Sequence, residues 1–196
     1  RAEPGLRGRA AHAVRFWMKR SVTKFVTRTL RLQVNTEKSA VGRPWHRKYL
    51  GFCFTNDRNN PRIRVHWKTV KRFRQRVRQI TARSRGRSVE QVVSELKSYF
   101  RGWWQYFGIA ESLNRLAPLD HWVRRRLRAL IWTQWKNRRT RVTRLKAAGV
   151  WHDQALTTGC SRKGSWRMSR VKWVHIALPD EHFRSLGLVF PWNSSA

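Results

Sequence analysis

The sequence predicts a mostly α fold (α+β overall). A small β-hairpin near residues 48–66 leads into a three-helix bundle and then a short helical tail. Three observations predict it. Apolar residues recur at spacings of three and four through several long stretches. Strand-like alternation is confined to two short runs separated by turn formers. The composition can also support a core: of 196 residues 40% are apolar, with 12 Trp, 9 Phe and 3 Tyr. A chain of this length buries about two-thirds of its unfolded surface.

The first stretch, residues 14–34, places Val14, Trp17, Met18, Val22, Phe25, Val26 and Leu30 on one helical face. Leu32-Gln33-Val34-Asn35 alternates briefly. Tyr49-Leu50-Gly51-Phe52-Cys53-Phe54 reads as a strand, Asn56 to Pro61 as a turn, and Ile63-Arg64-Val65-His66-Trp67 as its returning strand. From Trp67 the period becomes helical, with Trp67, Val70, Phe73, Val77 and Ile80 on one face and Lys68, Lys71, Arg72, Arg74, Arg76 and Arg78 on the other. Ser84 to Arg87 ends that helix. Ser88-Val89-Glu90-Gln91 has the spacing of a capping box for the next, whose apolar face runs from Val89 to Phe107.

A third bundle helix carries Leu119, Trp122, Val123, Leu127, Leu130, Ile131 and Trp135, with Arg124, Arg125, Arg128 and Lys136 opposite. Pro118 either sits in its first turn or kinks an earlier start near Ser112. Beyond Gly149 the signal weakens to short helices near residues 151–158 and 180–186, with Ser161 to Trp166 as a loop. The expected division is 1–66, 67–137 and 138–196.

Charge narrows the function. The 33 Arg and 11 Lys face 10 Asp+Glu, for a formal net charge of +34. Such a chain repels itself when compact and calls for a polyanionic partner. Arginine outnumbering lysine favours forked and stacked contacts with phosphate. Cys53 and Cys160 lie far apart without metal-ligand spacing, so they read as reduced thiols, not a disulfide or zinc site. No window approaches the roughly 18 apolar residues of a membrane span. The stretch to Arg20 is Arg-rich with one acid, like an organelle transit peptide. The opening at Arg1 instead of Met favours the C-terminal piece of a longer protein.

The acids are scattered, and only Asp180 and Glu181 adjoin. A two-metal phosphoryl-transfer site needs several converging carboxylates. Phosphate-loop, nucleophile-elbow and zinc-protease motifs are missing, and the His residues read as surface or core. The chain alone is therefore expected to be non-catalytic and to bind no metal or cofactor. What stands out is Arg interleaved with Trp, as in Arg101-Gly102-Trp103-Trp104, Trp122 with Arg124-Arg125-Arg126, and Lys163-Gly164-Ser165-Trp166-Arg167. Arginine contacts phosphate and indole stacks on unpaired bases, the usual way of holding structured RNA. Trp103, Trp122 and Trp135 lie on the apolar stripes and read as core. Trp104, Trp132 and Trp166 fall off them, and read equally as core or as ligand-facing.

Six motifs, in order, resemble the C-terminal part of a group II intron reverse transcriptase/maturase. Leu30 to Ser39 followed by Tyr49-Leu50-Gly51-Phe52 is similar to the last blocks of the polymerase palm. Arg85-Gly86-Arg87-Ser88, Leu96 through Trp103 to Phe107, and Asp120 to Arg128 resemble the thumb or maturase-specific region. Trp132 to Lys136 with Thr140-Arg141, and Ser161 to Arg167, continue the match. The family's catalytic Asp pair, its fingers and most of its palm are absent from this sequence, as is its DNA endonuclease module.

The resemblance implies a palm remnant, a thumb bundle and a maturase tail that bind group II intron RNA and stabilise its active fold. The RNA and its Mg²⁺ would do the chemistry. Carried onto this chain, the RNA-contacting set is Arg72, Arg76, Arg85, Arg87 and Arg101 with Trp104. From the third helix onward it adds Arg124, Arg125, Arg128, Trp132 and Lys136, then Arg141, Lys163, Trp166 and Arg167. Tyr49, Leu50, Gly51 and Phe52 correspond to the primer grip, and Lys38 to the palm lysine that assists the leaving group. The rival expectations are a fragment of an active polymerase holding a template–primer duplex, its catalytic portion elsewhere, and a generic basic RNA-binding protein. A homodimer or a separate N-terminal polymerase portion would complete either form. A cytoplasmic, bacterial setting is expected.

Overall fold

The computed structural model describes residues 4–35, 37–57, 59–111 and 113–193. It is mostly helical with a single two-stranded antiparallel sheet among those residues. The family-like stretch at Thr36 and the alternative helix start at Ser112 lie outside them.

Helix α1 (Pro4–Arg28) begins on a proline, which suits a first helical turn because its missing N–H has no partner there to lose. It ends before the predicted Val34, because Arg31 takes the left-handed conformation at φ 52°. Its apolar stripe stays largely in solvent: Val14, Trp17, Val22 and Phe25 are all more than half exposed.

Strand β1 (Phe52–Phe54) pairs with β2 (Ile63–Val65) in the register Phe52↔Val65, Cys53↔Arg64, Phe54↔Ile63. The strand expected from Tyr49 is shorter than predicted. Leu50 and Gly51 both have positive φ, 48° and 94°, and close a tight turn in which Tyr49 and Phe52 exchange backbone hydrogen bonds of 3.0 and 2.8 Å. Gly51 is required for a second reason: a Cβ there would stand 2.8 Å from the Phe107 ring. The turn is bolted to the bundle, since the Gly51 carbonyl accepts from His66 N–H and from Thr69 Oγ1, each at 2.9 Å.

Helix α2 (Trp67–Ile80) is capped by the His66 imidazole and buries Val70, Phe73, Val77 and Ile80, the predicted stripe without exposed Trp67. Helix α3 (Val89–Phe107) starts on the predicted capping box, with Ser88 and Gln91 each accepting from the other's backbone N–H. Helix α4 (Ala117–Gln134) carries Pro118 in its first turn. Its consecutive residues Leu127 through Trp132 are all buried, before Thr133 and Gln134 emerge at its end. It is the central helix, not a one-faced one.

Helix α5 (Arg138–Ala147), capped by Asn137, has no counterpart in the periodicity, because only Val142 and Leu145 are large and apolar. It packs on α6 (His152–Gly159). Short helices α7 (Ser165–Met168), α8 (Lys172–Ala177) and α9 (Asp180–Ser185) follow. The loop expected over Ser161 to Trp166 holds through Gly164, and only its last two residues enter α7. The core is continuous from Val65 to Trp192. The returning C-terminus inserts Phe190 and Trp192 against Phe73, Phe100 and Trp103 of the bundle, with ring centroids 5.5–6.2 Å apart. Buried aromatic area of this kind is the largest single contribution to such a core.

Candidate nucleic-acid interface

The arginine run of α4 splits by position into two jobs. Arg124 and Arg128, four apart, point inward and are only 7% and 5% exposed. Arg124 Nη1 lies 3.2 Å from the Asp120 carboxylate and 3.2 Å from that of Asp180. Arg128 Nη2 lies 2.7 Å from Asp180, and its Nε donates to the Leu178 carbonyl at 2.9 Å. Phe190 and Phe183 cover the two guanidiniums at 5.0 and 5.4 Å. Arg124 and Arg128, expected to face RNA, thus lie inside: the C-terminal tail folds over that side of α4 and takes both into ion pairs.

Arg125 and Arg126 turn the other way. The Arg125 guanidinium lies 3.8 Å from the Trp166 ring centroid, and its Nη2 donates to the Trp166 carbonyl at 3.1 Å. This joins α4 to α7, so two residues 41 positions apart form one stacked unit. Arg126 Nε donates to Thr81 Oγ1 at 2.6 Å. Burial, with Arg78 and Arg83 close by, pulls the Arg126 pKa below the ordinary arginine value. Burial likewise lowers that of Arg125, helped by Arg170.

The tryptophans sort by depth. Trp132, expected in the RNA-contacting set though read equally as core, is 1% exposed with Arg141 over it at 5.0 Å, and so lies in the core. Trp104 is half-buried against Trp192. Trp166 is 38% exposed and remains available to a ligand. Trp122, read as core, is only partly buried and lies among arginines.

On α2, Arg72 and Arg76 line a cleft of about 720 Å³ with Lys48, Gly51, Tyr99, Trp103 and Phe107, where the hairpin turn meets the bundle. Burial pushes the Tyr99 hydroxyl pKa up to about 12, so it stays protonated. Arg76 and Arg87 share Glu95, Arg76 at 3.5 Å. Arg87 is half-buried and also donates to the Ile80 carbonyl at 2.7 Å, which makes it a link between α2 and α3. Arg85, Arg101, Lys136, Lys163 and Arg167 are exposed, whereas Arg141 is half-buried and donates to the Trp135 carbonyl. Tyr49 and Leu50 are exposed at the turn, with the Leu50 carbonyl accepting from Tyr106 Oη at 3.0 Å. Lys38 is exposed, and its backbone N–H donates to Asn35.

Among the described residues the ion pairs draw on only three carboxylates, Glu95, Asp120 and Asp180. Apart from Arg76, which pairs with Glu95, no outward arginine among the described residues has an ion pair, and such an excess favours a polyanionic partner. Arg74, Arg78 and Arg126, outside the expected RNA-contacting set, gather around Trp122. Their signal was available, since Arg74 and Arg78 lie four apart on one face of α2. No group of three or more His, Cys, Asp or Glu that could hold a metal occurs among the described residues. No helix among them is long and apolar enough to cross a membrane.

Residues 70–149, which run from the second residue of the α2 stripe to just past the end of α5, match the family model described as the group II intron, maturase-specific domain. The resemblance drawn from the motifs is borne out over that span. No curated protein matches the chain.

Proposed function

We propose that this protein binds group II intron RNA and holds it in its active fold, so that the RNA splices itself with its own Mg²⁺. One observation carries the reading: the segment matching the maturase-specific domain presents arginines that lack carboxylate partners and are locked beside indole rings. Guanidinium on a rigid helix meets phosphate bidentately without first losing much side-chain freedom. An adjacent exposed ring such as Trp166 offers a stacking platform for an unpaired base. Neutralising phosphates lets RNA helices approach each other, which is the work otherwise done by high Mg²⁺. Among the described residues no group of three or more His, Cys, Asp or Glu could hold that ion.

The deciding experiment is splicing of a group II intron precursor at low Mg²⁺ with and without the purified chain, beside binding to an unrelated structured RNA at matched salt. Faster splicing with preference for the intron supports the reading. Equal binding to both RNAs without a splicing effect would leave a generic basic RNA-binding protein.

A second reading draws on the cleft between the Leu50–Gly51 turn and α2–α3, where Lys48, Arg72 and Arg76 meet Tyr99 and Phe107. In a longer polymerase this cleft would hold the end of a template–primer duplex. The genomic sequence upstream tests it, through the presence or absence of an in-frame palm with its Asp pair.

A further inference from the structure

Trp122 is ringed by three guanidiniums. Their carbons lie 5.9 Å (Arg74), 5.8 Å (Arg78) and 5.5 Å (Arg126) from its ring centroid. Two come from successive turns of α2 and one from α4, so the indole lies in the seam between these helices. Beside it opens a cleft of about 510 Å³ lined by Trp67, Lys71, Arg74, Arg78, Arg115 and Pro118. The walls are fixed from behind. Arg126 is hydrogen-bonded to Thr81 and, at 3.4 Å, to the Arg78 carbonyl, while Arg115 Nη1 donates to the Val65 carbonyl at 3.0 Å.

These cations repel one another. The indole face offsets part of that cost, because its quadrupole attracts each guanidinium. Among the described residues no ion pair joins Lys71, Arg74, Arg78, Arg115 or Arg126 to a carboxylate. The buried Arg74 Nε also lacks a hydrogen-bond acceptor. The missing complement is a compact anion with several oxygens, which several forked donors can grip at once.

We propose that the α2–α4 cleft beside Trp122 is a built phosphate-binding site, filled by a phosphate of an RNA backbone or of a free polyphosphate. The anion site stands on the arginine cluster. Only its RNA source rests on the function proposed above.

The test is calorimetric titration of the full chain with sodium tripolyphosphate at constant ionic strength. The comparison sets the parent beside Arg74→Gln/Arg78→Gln in the cleft and Lys24→Gln/Arg28→Gln on exposed α1, which removes the same charge. Saturable binding by the parent and the α1 variant, at least tenfold weaker in the cleft variant, is the expected result. Equal affinity in all three, or no saturable binding by the parent, overturns the site. Should melting reveal that the cleft variant has lost its fold, Lys71→Gln carries the test, because Lys71 is exposed on α2. A several-fold loss is expected there, and unchanged affinity overturns the site. Repeating the titration on chain saturated with an RNA oligonucleotide separates the sources. Blocked binding assigns the site to backbone phosphate, and undiminished binding to a free polyphosphate. A chain that binds tripolyphosphate in the cleft but no RNA keeps this site while removing the RNA function.

Discussion

Arg128 and Asp180, 52 positions apart, meet at 2.7 Å across the junction of α4 and α9. Arg124 lies against the same carboxylate at 3.2 Å, and Asp120 completes the cluster one turn back along α4. Charges taken into a core are tolerated only when paired, and removing one member leaves the other stranded. The tail beyond Asp180 is thus held onto the bundle by electrostatics as well as by Phe183, Phe190 and Trp192.

Asp180→Ala should therefore destabilise the protein, although its carboxylate is 36% exposed and water will re-solvate part of the site. A loss of about 2–4 kcal/mol is expected, toward the low end of what breaking a buried pair costs. Urea unfolding measures it. The folded fraction should keep its RNA affinity. A stable variant with weakened RNA binding would return Arg124 and Arg128 to the interface.

Trp132 and Trp166 provide an opposed pair. Trp132→Ala empties a site that is 1% exposed and should cost about 3–5 kcal/mol. Trp166→Ala removes a 38% exposed ring and should cost well under half of that, while weakening RNA binding by about 1–3 kcal/mol if a base stacks there. Thermal melting and filter binding of both variants decide it. The same ranking in both measurements would contradict the depth argument.

The difference between those two rings explains what the sequence could and could not disclose. The stripes of α2 and α3 and the Ser88–Gln91 box were legible because period and cap are local properties. Trp132 was not, since Leu127 through Trp132 of α4 are all buried and a one-sided stripe no longer separates inside from outside. Arg124 and Arg128 read as facing outward because Asp180, which draws both inward, is remote in sequence, although the Asp120–Arg124 spacing is local. Helix α5 was invisible for a related reason: its stability comes from packing Val142 and Leu145 on α6, with Gly159 close beneath Val142, and not from a pattern of its own.

His66 sets a pH dependence. Its Nδ1 accepts from the Lys68 N–H at 3.2 Å and caps α2. Burial lowers its pKa, as do Arg115, Lys48 and Lys68, against a smaller opposing hydrogen bond to the His46 backbone. The unfolded chain therefore binds the proton more readily than the folded one. Stability is fully present above the unfolded pKa of about 6.5 and falls as pH drops through the folded value. His175 is shifted the same way, chiefly by burial and then by Arg128, and adds to the slope. His66→Asn keeps a capping oxygen but cannot titrate, so its unfolding midpoint should fall less steeply with acid than the parent's. Equal slopes would show that His66 is not the group responsible.

The Arg125–Trp166 stack offers the sharpest test of the interface, because its geometry separates charge from shape. Arg125 makes no ion pair among the described residues and is only partly buried, but it ties α7 to α4 through the Trp166 stack and hydrogen bonds. Arg125→Ala should therefore cost only about 1–2 kcal/mol and leave the chain folded. If its outward N–H groups meet a phosphate, the slope of log K against log salt should become shallower by about one. Binding should weaken similarly for intron and unrelated RNA, because a phosphate contact carries no sequence information. Arg125→Lys restores the charge but neither the fork nor the flat surface that lies 3.8 Å from the indole. It should recover the salt slope while Trp166 loses its fixed orientation. Splicing support at low Mg²⁺ should then lag behind recovered affinity. A lysine variant that restores both equally would reduce this site to a point charge, and an alanine variant with an unchanged salt slope would place Arg125 outside the interface.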